Sequence, residues 1–295
     1  MTIRQEMLAA AARAGNLLGE SADGVGAFLR SRLSPDGGFR GRSGAADLYY
    51  TVFGIESLLA ISQEVPGGAV GRYLCSFSAG ESLDLVHLAC LVRCWASLPG
   101  EQLPAAVRPQ TVAHLEQFRS ADGSYGPASG ADFGTAYACF LTLQAYQDLE
   151  IPCPQAADIA QCVQNLAAPG GGYANQRHLA VGATASTAAA VITLKQLNRP
   201  VQPATAGWLL AQCQDGGGFV AVPRAPCADL LSTATGLHAL AAMGVPVDRI
   251  RNRCIDFIMS LRQGSGGFRG CADDEVADCE YTYYALLALG HLSGQ

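Results

Sequence analysis

Six positions along the 295-residue chain carry side chains able to hold a proton, a cation or a polar head group: Asp47, Asp84, Asp132, Thr184, Asp229 and Asp278. Each stands at the start of an apolar segment. Asp and Thr are favoured helix N-caps, because a side-chain oxygen there accepts an otherwise unpaired backbone N–H and complements the helix dipole. If the apolar segments lie side by side, the same positions share one opening, and clustered carboxylates raise some of their pKa values. Further reactive types lie just beyond these acids: Tyr49 and Tyr50 after Asp47, His87 after Asp84, and Cys279, Glu280 and Tyr281 after Asp278. The Asp-x-x-His spacing of Asp84 and His87 puts both groups on one helix face, so His87 is either a packed or surface imidazole or a metal ligand. Glu280 follows Asp278 by two residues, and both face one opening only where the helix start is irregular. The run Cys271-Ala272-Asp273-Asp274-Glu275 adds negative charge, as a solvated loop or as a rim for metal or proton chemistry.

The elements that must position these residues are repeats. A Gly-aromatic turn recurs as Gly37-Gly38-Phe39, Gly123-Ser124-Tyr125, Gly171-Gly172-Tyr173, Gly217-Gly218-Phe219 and Gly266-Gly267-Phe268. Their aromatic positions are 86, 48, 46 and 49 residues apart, and Phe77 in Ser76-Phe77-Ser78-Ala79-Gly80 supplies the copy missing from the first interval. Six units with a period of 38 to 49 residues indicate a stacked helical array. Each unit reads as an amphipathic helix such as Val247 to Leu261, the turn, a polar stretch, and an apolar helix such as Thr51 to Ile61, Thr184 to Leu194 or Thr233 to Met243. A helix apolar on nearly every side is covered on both faces, and one with a charged side is not. The expected fold is therefore all-α: an α/α toroid of six helical hairpins, occupying 1–295 as a single domain, with the apolar helices inside. Closing the ring removes the exposed ends that an open solenoid must cap. The interior would be lined by rings such as Tyr50, Phe53, Tyr137, Phe140, Tyr283 and Tyr284.

Composition narrows the partners. With 49% hydrophobic residues the chain has ample core. Its 19 basic and 25 acidic residues form no basic stripe, which argues against nucleic acid. No run reaches the roughly 18 apolar residues of a membrane span, and Met1 to Arg30, with Glu6, Glu20 and Asp23, reads as a helix of the mature protein. Eleven cysteines without a CxxC pair suit a reduced, cytoplasmic protein whose thiols are mostly small buried side chains.

With these repeats and turns, the chain resembles the prenyltransferase and squalene-cyclase repeat superfamily over nearly its whole length, most closely the β subunits of protein farnesyl- and geranylgeranyltransferases. The resemblance rests on Gly37-Gly38-Phe39-Arg40-Gly41-Arg42 followed by Asp47-Leu48-Tyr49-Tyr50-Thr51, similar to the stretch that carries a diphosphate-binding Arg and then Asp-x-Cys-Tyr-Ser. It implies that Arg42 binds diphosphate, that Asp47 and His87 are zinc ligands, and that Tyr49 stands where the zinc cysteine should be. In chain order, Asp229 and Asp278 match family acids instead, with Leu231 in place of the Cys and Tyr281 in place of the His. Neither register holds the complete ligand set. The cyclase branch uses Asp-x-Asp-Asp, and here Cys271 occupies the first position before Asp273 and Asp274.

The resemblance implies an isoprenoid-handling, prenyltransferase-like transferase with a degenerate zinc site, acting on an isoprenoid diphosphate or another hydrophobic small molecule. Its cofactor would be zinc or magnesium and its partner a helical α subunit. Asp47, Tyr50, Asp278 and Glu280 are then the catalytic candidates, with Tyr50 donating a hydrogen bond to the leaving oxygen. Arg42, Tyr49, Asp132, Asp229 and Tyr281 are the substrate-binding candidates, and Asp47 with His87 the metal pair. The alternatives are a class II-type terpene cyclase, with Asp278 or Glu280 as a carboxylic acid held protonated by burial, and a noncatalytic toroid that binds lipid or peptide.

Overall fold

Apolar helices gain most by being covered all round, whereas helices with a polar stripe leave that stripe to water. In the computed structural model, which describes residues 1–42 and 44–294, this difference sorts the helices into two layers. The chain forms α1 (Ile3–Ala11), α2 (Gly15–Leu18), α3 (Ser21–Arg32), α4 (Leu48–Ala60), α5 (Gly67–Cys75), α6 (Leu85–Ser97) and α7 (Arg108–Glu116). It continues with α8 (Ala136–Asp148), α9 (Ala156–Asn165), α10 (Thr184–Gln196), α11 (Thr205–Leu210), α12 (Leu230–Ala242), α13 (Arg251–Ser260) and α14 (Cys279–Leu292). The even-numbered helices from α4 onward form an inner ring in which each packs on the next, and α14 returns to pack on α4. The odd-numbered helices from α3 onward form the outer layer. This is the expected toroid of six hairpins.

The inner helices begin up to three residues before the apolar segments that mark them, at Leu48 rather than Thr51 and at Leu230 rather than Thr233. The Met1–Arg30 stretch is not one helix. It breaks around Gly19, at φ +51, where a residue with a Cβ would be strained. The first piece, α1, folds over α14, α4 and α8 and closes the end of the ring where the inner helices finish. Its Ile3 N–H donates to Gln147 Oε1 at 2.8 Å, and Arg4 pairs with Asp148 at 2.8 Å.

The turns join neighbouring units. A Cβ on Gly266, at φ +96, would lie 2.1 Å from the Gly24 carbonyl oxygen of α3, so unit six closes backbone to backbone on unit one. The aromatic after each such glycine (Phe39, Tyr125, Tyr173, Phe219, Phe268) is completely or almost completely buried. In four units its backbone N–H donates to a threonine one turn into the inner helix: Phe39 to Thr51 at 2.9 Å, Tyr173 to Thr187 at 2.8 Å, Phe219 to Thr233 at 2.9 Å and Phe268 to Thr282 at 3.2 Å. In unit three Cys139 stands there, its thiol facing the Tyr125 carbonyl at 3.8 Å. Phe77, in the degenerate second copy, is half-buried and packs edge-on against Tyr73.

Candidate active site

All six inner helices start at the same end of the ring, and four of them start on a capping aspartate. Asp47, Asp84, Asp229 and Asp278 accept the N–H groups of Tyr49, His87, Ser232 and Tyr281 at 2.7 to 2.8 Å. The other two units depart from the expected pattern. In unit three the cap is Thr135, whose hydroxyl oxygen accepts the Ala138 N–H at 3.1 Å. Asp132 lies three residues earlier, in the loop. In unit four the cap position is Ala183 and makes no side-chain bond. Thr184 is already helical: its hydroxyl donates to the Val220 carbonyl at 2.6 Å and its N–H to Ala221 at 2.8 Å. A neighbouring backbone carbonyl thus does part of what a capping side chain would do.

Ring closure gathers unit six with units one and two. Arg42 donates through Nε to Asp278 at 2.9 Å and through both terminal nitrogens to Asp274, at 3.0 and 2.5 Å, with its guanidinium 5.4 Å from the Tyr281 ring centre. Asp278 has a fully buried side chain, and burial raises its pKa despite the Tyr281 N–H and Arg42. On the adjoining helix face, the Tyr49 hydroxyl donates to Glu280 Oε1 at 2.6 Å. Burial is the main reason that the Glu280 carboxyl is pushed up to about 7, against the opposing effect of the Tyr49 hydrogen bond. Tyr49 is itself raised by burial and by its neighbours Tyr284 and Glu280. Farther along the rim, His87 lies between Asp84, 2.8 Å from Nδ1, and Asp47, 3.4 Å from Nε2. Burial would lower the imidazole, but the two carboxylates outweigh it and raise its pKa. Asp229 keeps both side-chain bonds to Ser232, and burial raises its pKa.

Below this rim runs a cavity of about 400 Å³, within the range of about 300–1,000 Å³ of small-molecule sites. Its walls come mainly from the second, fifth, sixth and ninth residues of the inner helices, the spacing that puts side chains on one helical face. Phe53, Tyr137, Phe140 and Tyr284 line it as expected, whereas Tyr50 and Tyr283 do not. Tyr50 lies against Gly41, where a Cβ would come 2.3 Å from its ring, and Tyr283 is fully buried behind the wall. Tyr50 misses the lumen because the third position lies off the facing stripe. Tyr283 stands at the fifth position, which faces the lumen in four other inner helices, but in α14 it is covered and Tyr284 at the sixth position forms the wall instead.

The comparisons with known proteins agree with this architecture. The family model described as the prenyltransferase alpha-alpha toroid domain matches residues 7–219 and 193–294. The chain belongs to that family. No match was found among curated proteins. Among solved structures, a variant of the type II terpene cyclase MstE from Scytonema, in complex with geranylgeranyl dihydroxybenzoate, superposes with a TM-score of 0.65 at 11% identity, over 95% of this chain and 97% of that one. Candida albicans protein geranylgeranyltransferase-I complexed with GGPP gives 0.53 at 16% identity, over 69% of this chain and 65% of that one. The ent-copalyl diphosphate synthase of Streptomyces platensis gives 0.52 at 16%, over 83% of this chain and 50% of that one. At these identities the likeness is one of fold. No helix among the described residues is long and apolar enough to cross a membrane.

The residues that the family resemblance marks for zinc assemble only in part. Asp47 and His87 of this prenyltransferase-family toroid do meet, at 3.4 Å. Asp84 occupies the other ring nitrogen, and among the described residues no group of three His, Cys, Asp or Glu side chains is arranged to hold a metal ion. A catalytic zinc takes three protein ligands. The nearby thiols of Cys90 and Cys94 are buried, which raises their pKa and disfavours the thiolate that would bind metal. The donor set does not fit zinc. The contacts between Arg42 and Asp274, Arg42 and Asp278, and Tyr49 and Glu280 span 231 to 236 residues, and sequence spacing gave no signal for them.

Proposed function

We propose that this toroid converts an isoprenoid chain held in its cavity, and that it starts the reaction by protonating an alkene carbon, with Glu280 as the acid and Tyr49 as the relay. The observation that carries this reading is the half-buried Glu280 carboxyl, pushed up to about 7 and bonded at 2.6 Å to a hydroxyl on the cavity wall. A general acid works best when its pKa lies near the working pH. In the step, Glu280 is protonated and donates to the Tyr49 oxygen, the reverse of the bond seen with the carboxylate, so that Tyr49 passes its hydroxyl proton to the alkene carbon and takes the Glu280 proton in return. The alkene's π pair becomes the new C–H bond, and the resulting cation is attacked by the next alkene of the chain. After ring formation the final cation loses a proton, which restores the alkene and the acid. Phe53, Phe140, Tyr137 and Tyr284 present π faces or edges along the route, and ring faces stabilise cations.

Incubation with geranylgeraniol, geranylgeranyl diphosphate or squalene, followed by extraction, tests the reading. Cyclised products formed without a peptide acceptor, and lost in Glu280→Gln, are expected. Binding of all three without any product would leave a noncatalytic lipid-binding toroid instead.

One observation favours a second reading, peptide prenylation of the transferase type: Asp47 and His87 are brought together as that chemistry requires. Against it, the guanidinium of Arg42, the diphosphate candidate, is already engaged by two carboxylates. Metal analysis separates the two readings. One tightly held zinc per chain that disappears in His87→Ala would favour transfer, and less than a tenth of an equivalent is expected.

A further inference from the structure

The ninth residue of each inner helix lies about 10 Å below the second, at 1.5 Å per residue. Around the ring this level reads Glu56, Arg93, Gln144, Ile192, His238 and Leu287. Four of the six are polar, in a barrel whose wall between this level and the rim is almost entirely aromatic and aliphatic. All except Glu56 line the cavity.

The four polar residues differ in how far they are satisfied. Glu56 and Arg93 satisfy each other: Glu56 is fully buried, accepts Arg93 Nε at 2.7 Å and Nη2 at 2.5 Å, and also accepts the Ser97 hydroxyl at 3.1 Å. Arg93 Nη1 takes no part in that pair. Gln144 is 2% exposed, and neither its Oε1 nor its Nε2 has a partner. His238 is 7% exposed, with Nδ1 2.9 Å from His291 Nε2 and its own Nε2 without a partner. Burial pushes His238 down to about 4, so the imidazole is neutral. An unpaired buried amide or imidazole is costly. Two of them at one level, facing one cavity, mark a place where something else supplies the missing bonds.

We infer that this belt holds an uncharged oxygen head group, the hydroxyl or carbonyl of an oxygenated isoprenoid, with the hydrocarbon chain rising between the aromatic rings towards Tyr49. Gln144 offers a donor and an acceptor, and His238 offers one more of either kind according to its tautomer, which suits an oxygen that both donates and accepts. The belt as a whole is neutral, because Glu56 cancels Arg93 and the other two carry no charge. A diphosphate buried there would bring charge with nothing to balance it. The orientation points the hydrocarbon end of the chain, folded within the cavity, towards the acid. The inference rests on the reading of the cavity as an isoprenoid site.

Equilibrium dialysis of the intact protein against geranylgeraniol, geranylgeranyl diphosphate and the matching hydrocarbon without oxygen tests it. The alcohol is expected to bind at least tenfold more tightly than either of the others. In Gln144→Leu, which keeps the side chain's size, the advantage of alcohol over hydrocarbon should fall to about threefold or less while hydrocarbon binding is kept. The same variant should melt at or above the wild-type temperature, because an unpaired amide is gone. His238→Leu supplies the same comparison should Gln144→Leu fold poorly. Equal binding of alcohol and hydrocarbon would overturn the inference and leave the isoprenoid reading standing, and so would tightest binding of the diphosphate. Binding of none of the three would remove both.

Discussion

The rim of the toroid has two unlike halves built from one repeat. Along α14, α4 and α6 each helix starts on an aspartate and carries a second functional group beside it: Glu280, Tyr49 and His87. Across the ring, α8 starts on Thr135, α10 on Ala183, and α12 on an Asp229 bonded to its own helix. Capping alone therefore does not account for the acidic half, since a threonine and a borrowed backbone carbonyl start neighbouring helices of the same ring without charge. Asp47, Asp84 and Asp278 bring to their caps a charge that capping does not require, and Glu280 caps nothing. Burial and ion pairing then separate them, with Glu280 held near neutrality and Asp84 pulled below its ordinary range by His87 against its own partial burial.

The largest expected effect falls on turnover. Glu280→Gln keeps shape and the bond from Tyr49 but removes the acid, and product formation should drop at least about 100-fold, the usual worth of a positioned acid. Asp229→Asn on the other half should leave the rate within about threefold, measured in the same assay. A comparable fall in both would erase the contrast.

Next in size is the seam between units six and one. Arg42→Ala leaves the buried Asp278 carboxylate without its cation, and removing one partner of a fully buried pair costs about 3–5 kcal/mol. Because Arg42 is 38% exposed at its side chain, about 2 kcal/mol is expected, read by urea denaturation.

The pH dependence of stability comes third. The folded pKa of Glu280, about 7, lies above the unfolded value near 4.5, so the native state binds the proton more tightly. Its favourable contribution is complete below about pH 4.5 and is lost as pH rises to 7. Asp278 and Asp229, also raised by burial, act in the same direction. Thermal melts of wild type and Glu280→Gln across this window should differ in slope by roughly 1–3 kcal/mol in total. Parallel curves would show that Glu280 titrates normally.

Smallest are the caps. Thr135→Ala should cost about 1 kcal/mol, and Ala183→Ser should add a few tenths, both by chemical denaturation. Asp84→Ser should keep the cap and stay within about 0.5 kcal/mol. If Asp84→Ser were far more costly than its capping bond is worth, the pair with His87 would be structural after all.

Much of this was legible in the chain. The Gly-aromatic period marked the hairpins because a turn that closes on the next unit's backbone needs glycine, as Gly37, Gly171, Gly217 and Gly266 show, and Phe77 kept the period where the second copy lost its glycine. The shared direction of the inner helices placed Asp47, Asp84 and Asp278 at one rim, and the family resemblance paired Asp47 with His87. The threonine latch at Thr51, Thr187, Thr233 and Thr282 was also present as a fixed offset of 12 to 14 residues after each aromatic, though it is easily taken for helix propensity.

What the sequence determined by itself was whatever repeats locally, namely the turns, the helices and the end at which each helix begins. Only the tertiary structure decided which side chains meet across the ring. Arg42 became the partner of Asp274 and Asp278, Glu280 met Tyr49, and Glu56, Arg93, Gln144 and His238 came to one level on four different helices. The physical reason is closure. It joins residues more than 200 positions apart and turns the same helical position in six units into one layer of wall, a geometry that local spacing does not encode.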